Sequence, residues 1–184
     1  VYVINESQYS GHTNAYFTGW GNNRKIFLYD TLIKNHTEEE VISVLGHEIG
    51  HWTHNHQLTS ILGSTIEFFL LCLIVGFFFE FVKKGNEFIL KEIYSPSSLP
   101  LLFLVISILG TFTSPIWNTI SRYQERQADK EALILTNDKK SFIDTEIKMA
   151  KDNKSRLNPH PWVVNLYYSH PKTIDRILMA EDFK

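Results

Sequence analysis

Two histidines four residues apart, with a glutamate directly after the first, stand at His47-Glu48-Ile49-Gly50-His51. On a helix, residues i and i+4 lie one above the other, so both imidazoles can reach one metal ion. Glu48 then projects beside that ion, where a bound water would sit. In a zinc protease the metal lowers the pKa of its water and polarises the scissile carbonyl, and the glutamate takes the proton. The pattern marks His47 and His51 as metal ligands, Glu48 as catalytic base and one Zn2+ as cofactor. It lacks a third protein ligand.

The single cysteine, Cys72, lies inside an apolar run, which excludes both a disulfide within the chain and a cysteine-based zinc site. The longer pattern H-E-x-x-H-x-x-G-x-x-H fails, because His54 stands at the glycine position and Gln57 at the last histidine. His54 shares a face with His47 and His51 and reads as solvent-facing or as a neighbour of the ligands. His12, His36, His56 and His160 are expected to have no metal role. A better source is Ser121-Arg122-Tyr123-Gln124-Glu125-Arg126-Gln127-Ala128-Asp129, which reads as a helix with Glu125 and Asp129 on one face. Glu125 would complete a His2Glu site with one position left for water. Asp129 could accept the second ring N–H of a ligand histidine and fix its tautomer. The competing reading is a solvated helix whose arginines and acids pair among themselves.

These groups need elements to hold them. Thr37-Glu38-Glu39-Glu40 reads as a capping box, with Thr37 as N-cap and Glu40 at N3, and Val41, Val44, Leu45 and Ile49 follow at helical spacing. His47 and His51 therefore fall well inside a helix. Gly46 and Gly50 each weaken it by about 1 kcal/mol relative to Ala; a backbone approaching closely at those two positions would compensate. Ahead of it, residues 1–4, 14–18 and 25–29 read as three strands of a small antiparallel β-ribbon, with Gly19, Gly21, Asn22 and Asn23 turning between the last two. Such a ribbon either covers the core or offers an edge to an extended peptide.

The chain has 184 residues, 21 % charged and 14 % aromatic, with net charge −2, so no basic field points to nucleic acid. Its mean hydropathy of −0.14 hides a greasy middle between two polar ends. Residues 58–82 carry only Glu67 and Glu80 as charges, around the run FFLLCLIVGFFF, and residues 95–120 carry none. About 20 apolar residues cross a bilayer, and both stretches reach that length. Pro115 would kink the second, which membrane helices tolerate. Two buried helices of a soluble protein are the alternative, but so small a chain has little material to cover two helices apolar all round. Two spans form a hairpin, so the residues after Ile120 return to the side that holds the histidine helix. The chain starts at Val1 on a strand-like run, and we expect it to be part of a longer protein.

The expected organisation is one peptidase domain in three parts. Residues 1–57 hold the β-ribbon and the H-E-x-x-H helix, and residues 58–120 hold two transmembrane helices with a connecting loop at 83–97. Residues 121–184 hold the third-ligand helix and a C-terminal His170-Pro171 segment. A residue before proline is pushed out of the helical region, so His170 sits at a helix entrance and could aim a donor at a developing oxyanion. Bracing of that helix start, with Arg176 paired to an acid, is the plainer reading of the same residues.

The chain resembles the C-terminal part of the type 1 CAAX prenyl protease family, integral-membrane zinc metalloendopeptidases. The matching residues are Asn14-Ala15-Tyr16-Phe17-Thr18-Gly19, Leu28-Tyr29-Asp30-Thr31-Leu32, Leu45 to Trp52, Ser121-Arg122 with Glu125, Ala128 and Asp129, and Tyr168-Ser169-His170-Pro171 with Arg176. They run in the family's order over nearly the whole length. One departure is Arg126, where the family usually has an aromatic after the glutamate. The resemblance implies that His47, His51 and Glu125 bind zinc and that Glu48 is the base. It implies that Asn14 and Ala15 lie on the strand holding the substrate backbone, and that His170 and Arg176 bind substrate or stabilise the oxyanion. The implied activity is removal of the last three residues after a prenylated cysteine. The implied location is the endoplasmic reticulum membrane as a multi-pass protein, and in animals the inner nuclear membrane too. The bilayer and a prenylated C-terminal peptide would be its partners, and missing N-terminal membrane helices of the same protein would complete the chamber. The fold expected is a mainly α membrane protein with a small β-ribbon. A general membrane quality-control protease and a non-catalytic zinc-stabilised scaffold are the rival functions.

Overall fold

The computed structural model describes residues 1–19, 21, 23–84 and 95–184. Asn22 of the expected turn and most of the expected 83–97 loop lie outside the described residues. The chain divides into two compact units, Val1–Gln57 with Asn118–Lys184, and Leu58–Trp117.

The first unit opens with β1 (Tyr2–Ile4), β2 (Ala15–Thr18) and β3 (Lys25–Tyr29). β2 and β3 form the expected antiparallel pair, with Ala15 opposite Leu28 and Thr18 opposite Lys25. Gly19 sits at φ +104° where a Cβ would strike the Asn23 carbonyl, so glycine is required to close this hairpin. β1 departs from the expectation: it pairs with β3 in parallel, Tyr2 opposite Phe27, so the sheet is mixed in the order β1-β3-β2. The segment between β1 and β2 is long enough to carry the chain over to the far edge of β3. A strand's direction in such a pairing is set by that crossover, not by its own residues.

Helices α1 (Asp30–Asn35) and α2 (Glu38–Thr53) follow. The capping box is formed: the Glu40 amide donates to Thr37 Oγ1 at 3.3 Å, and the Thr37 amide donates to Glu40 Oε2 at 2.9 Å. Ala15, Leu28, Leu32 and Val44 close a core between sheet, α1 and α2. α3 (His56–Lys83) and α4 (Leu99–Thr136) leave and re-enter this unit. α5 (Lys139–Asp152), α6 (Pro161–Tyr167) and α7 (Thr173–Asp182) complete it. A second core of Ala132, Leu133, Phe142 and Ala180 joins α4, α5 and α7.

The second unit holds most of α3 and the first half of α4. Both helices are long and apolar enough to cross a membrane. Their apolar windows are almost wholly uncovered, with Phe77, Phe81 and Phe112 each more than 70 % exposed. Buried helices of a soluble core would be covered by protein; these present their side chains to the surroundings, as lipid-facing helices do. Pro115 lies inside α4, and the Trp117 ring occupies the space that a side chain at position 63 would need.

Candidate metal centre

The site begins with the glycines of α2. A Cβ at Gly50 would lie 2.7 Å from Ala128 Cα and 2.9 Å from its carbonyl oxygen; one at Gly46 would lie 3.2 Å from Ala132 Cα. Glycines one turn apart on α2 thus face alanines one turn apart on α4, and the two backbones meet closely. This is the close approach that the glycine spacing implied, and it sets Glu125 and Asp129 against the histidine face.

The His47 and His51 Nε2 atoms stand 3.1 Å apart. Glu125 Oε2 lies 3.3 Å from the first and Glu125 Oε1 3.4 Å from the second. Tetrahedral zinc with ligand bonds of about 2.0–2.1 Å has ligand–ligand edges of about 3.3 Å. Each separation is near such an edge, with the two carboxylate oxygens each facing one imidazole, and one donor atom from each residue lies within 4.8 Å of the others. Glu125 Oε2 is buried without a hydrogen-bond partner, a state that normally costs free energy and that a cation would relieve. The donor set therefore fits a metal ion of zinc's geometry.

Around these three stands a supporting layer. His47 Nδ1 bonds Asp129 Oδ1 at 2.8 Å, which turns Nε2 toward Glu125. Burial pulls the His47 imidazole down, but the carboxylates of Asp129 and Glu125 outweigh it and hold the ring at about 10. Arg176 donates from Nε to Asp129 Oδ2 at 2.8 Å and reaches Glu146 Oε2 at 2.7 Å, so its guanidinium is committed to two buried acids. His51 Nδ1 bonds His56 Nδ1 at 2.9 Å, and His56 Nε2 bonds Gln127 Oε1 at 3.3 Å. His56, expected to have no metal role, touches a candidate ligand directly.

Glu48 is buried and borders the same cavity of about 130 Å³, as do Asn14, Ala15, His170 and Arg176. Burial raises its carboxyl above the ordinary range. Asn14 and Ala15 enter β2, an edge strand of the sheet. The preceding residue is clamped: Asn153 accepts from the Thr13 amide and donates to its carbonyl, both at 3.0 Å. His170 Nε2 lies 3.5 Å from Glu125 Oε1, with Nδ1 bonded to Ser169 Oγ at 3.0 Å. The turn that presents His170 is held by Arg122, whose Nη1 donates to the carbonyls of Val164 and Tyr168 at 3.0 and 2.8 Å. Arg122 sits on the partly apolar α4 and bonds neither Glu125 nor Asp129 in the described contacts, so the pairing of arginines and acids along this helix is not its organising feature. Of the residues lining this cavity, the sequence singles out Asn14, Ala15, His47, Glu48, His51, Glu125, His170 and Arg176. Sequence reasoning missed Glu146, His56 and the backbone clamps of Arg122 and Asn153, which carry no local spacing signal.

Residues 1–183 match the model of peptidase family M48. A metalloprotease of Bacillus subtilis is 32 % identical over 98 % of this chain and 43 % of its own length. CAAX prenyl protease 1 of Saccharomyces cerevisiae is 32 % identical over 96 % of this chain and 42 % of its own. The crystal structure of Saccharomyces mikatae Ste24p superposes with TM-score 0.79 at 30 % identity, over 98 % of this chain and 45 % of that one. The chain thus spans less than half the length of the relatives it matches. With a family match along almost its whole length and a metal-fitting donor set at its centre, the chain belongs to peptidase family M48.

Proposed function

We propose that this chain is the catalytic part of an integral-membrane zinc endopeptidase that removes the C-terminal tripeptide from prenylated proteins. The observation that carries this reading is the cluster of His47 Nε2 and His51 Nε2, 3.1 Å apart, with the two Glu125 oxygens facing them at 3.3 and 3.4 Å, in an M48 chain whose relatives include CAAX prenyl proteases. One Zn2+ would be held by these three residues. When bound, zinc lowers the pKa of a water to about 7 and polarises a scissile carbonyl.

The chain's own residues do the rest. Glu48, whose carboxyl burial raises above its ordinary value, borders the same cavity as the two histidines and would serve as the group that holds a proton and returns it to a leaving amine. Asp129 holds His47 in the tautomer that leaves Nε2 free. The edge of β2 beside Asn14 and Ala15 aligns an extended peptide by main-chain hydrogen bonds. His170, exposed at the cavity and close to Glu125, offers a donor to the developing oxyanion. Arg176 borders the substrate cavity and stiffens its wall through Asp129 and Glu146. The domain is read as one peptidase with three stretches, 1–57, 58–120 and 121–184, completed by N-terminal membrane helices of a longer chain and placed in the endoplasmic reticulum membrane.

The rival protease reading, general quality control of membrane proteins, shares the same metal centre; the B. subtilis relative carries only the name metalloprotease. Cleavage of a farnesylated C-terminal peptide by the full-length protein in proteoliposomes separates the readings. The prenylated peptide is expected to be cut in preference to its unprenylated form, with Glu48→Gln inactive and still binding zinc. Equal cutting of both peptides would favour quality control. Zinc binding without hydrolysis of any peptide would favour a scaffold.

A further inference from the structure

The two candidate ligand histidines are oriented by different chemistry. His47 leans on a carboxylate, Asp129, whereas His51 leans on a second imidazole, His56. We infer that Gln127 and His56 form a relay that selects the metal-ready tautomer of His51. This rests on the metal reading above and deepens it.

The direction of each hydrogen bond follows from what each group can do. Gln127 Oε1 can only accept, so at 3.3 Å it takes the proton on His56 Nε2. A neutral imidazole with its proton on Nε2 presents a lone pair at Nδ1. At 2.9 Å that lone pair can receive only N–H from His51 Nδ1. His51 then carries its proton on Nδ1, and its Nε2 lone pair points at His47 Nε2 and Glu125. Were Gln127 to present its amide donors instead, every bond would reverse and the proton would sit on His51 Nε2, where it blocks a metal. The relay is enclosed: His56 is 5 % exposed, and its ring meets His51 edge-on with centroids 5.0 Å apart.

The backbone builds this contact on purpose of geometry, not of helical spacing. In an unbroken helix His56, five residues after His51, would point about 140° around the axis. Asn55 instead adopts φ +53°, the left-handed conformation that asparagine tolerates, and ends α2. His56 becomes the first residue of α3 and folds back onto His51. Gln127 comes from α4, two residues after Glu125, so the helix that supplies the third donor also sets the tautomer of the second.

The test measures zinc, not turnover. The full-length protein in detergent micelles is titrated with zinc against a chromophoric chelator, for the parent and for four variants. His56→Phe, which keeps a flat ring and removes the acceptor, is expected to weaken zinc binding roughly 10- to 100-fold, the usual effect of losing a ligand's orienting partner. Gln127→Glu, acceptor only, is expected to bind within about threefold of the parent, while Gln127→Met loses affinity. His54→Ala serves as control: His54 stacks on His56 and pairs with Glu131 but does not bond His51, so its affinity stays at the parent value. Ring 15N shifts of His51 read the tautomer directly and should show protonated Nδ1 in the parent and Gln127→Glu. Parent-like zinc affinity in both His56→Phe and Gln127→Met overturns the relay, as does a His51 tautomer protonated at Nε2. If His56→Phe fails to fold, the Gln127 pair and the 15N shifts decide alone. A parent chain that binds no zinc defeats the metal reading itself, an outcome distinct from a parent that binds and variants that bind equally.

Discussion

Substituting Gly50 by alanine tests whether helix contact sets the metal site. The added Cβ would lie 2.7 Å from Ala128 Cα, about 0.7 Å inside ordinary contact, and both nearest atoms are backbone that cannot rotate away. Alanine gains about 1 kcal/mol of helix propensity over glycine, and overpacking costs about 1–3 kcal/mol. Net stability therefore falls by about 0–2 kcal/mol, a modest loss. The larger effect is positional. For α2 to accept the methyl group, α4 must retreat by about that same 0.7 Å at Ala128, and Glu125 stands one turn earlier on α4. Metal–donor distances tolerate about 0.2 Å, so zinc affinity should fall at least about tenfold although no ligand has been changed. Gly46→Ala is the matched comparison. Its Cβ meets Ala132 Cα at 3.2 Å, a misfit of about 0.2 Å, so zinc affinity should stay near the parent and thermal stability should hold or rise. Chelator competition and thermal unfolding of the three proteins in one detergent make the measurement. If Gly50→Ala binds zinc within twofold of Gly46→Ala, the proposed coupling between glycine contact and metal geometry is wrong.

Asp129→Asn should weaken zinc binding about 10- to 100-fold by loosening His47, with equilibrium dialysis as the readout; unchanged affinity would remove Asp129 from the site. Arg122→Ala leaves the carbonyls of Val164 and Tyr168 without their donor, which should cost about 2–3 kcal/mol and raise amide exchange around Ser169 and His170; unchanged exchange there would show that Arg122 does not hold the turn. His36 is buried with its ring nitrogens 3.3 and 3.6 Å from Glu40 and Asp152; burial lowers its pKa below 6.5, opposed by those two acids and aided by Lys148. The unfolded chain thus takes up a proton first as pH falls, so this residue makes stability rise with pH through the window just below 6.5 and level off above it. His36→Gln should flatten that slope in pH-dependent chemical unfolding, and an unaltered slope would refute the assignment.

The parts legible in sequence were those written in short-range spacing. Thr37 and Glu40 announced the start of α2, Gly46 and Gly50 announced a close neighbour, and two long apolar runs announced helices long enough to cross a membrane. Glu125 and Asp129 were reachable because a hairpin had to return the chain, which narrowed the search to one polar helix. The parallel pairing of β1 escaped because Tyr2 and Phe27 meet through a crossover that no local pattern encodes. His56 escaped because helical periodicity places it away from His51, and the left-handed turn at Asn55 that reverses this looks like any other surface asparagine. Arg176 paired to an acid was one of the two readings of its segment, but its partners were not legible, since Asp129 and Glu146 lie on two other helices and Glu146 has no motif around it.

The interrupted first unit has a consequence for how the protein comes to be made. His47 and His51 leave the ribosome before Leu58–Trp117, and Glu125 only after it. At about 5–20 residues per second, that apolar stretch delays the third donor by about 3–12 s. During this interval the nascent chain carries both histidines and Glu48, yet not the carboxylate that completes their cluster. The cluster of His47, His51 and Glu125 therefore cannot close until the second apolar helix has been made and the chain after it returned. The order of residues along the chain thus acts as a timer, separating the two histidines from the carboxylate that joins them by the time it takes to make the apolar unit.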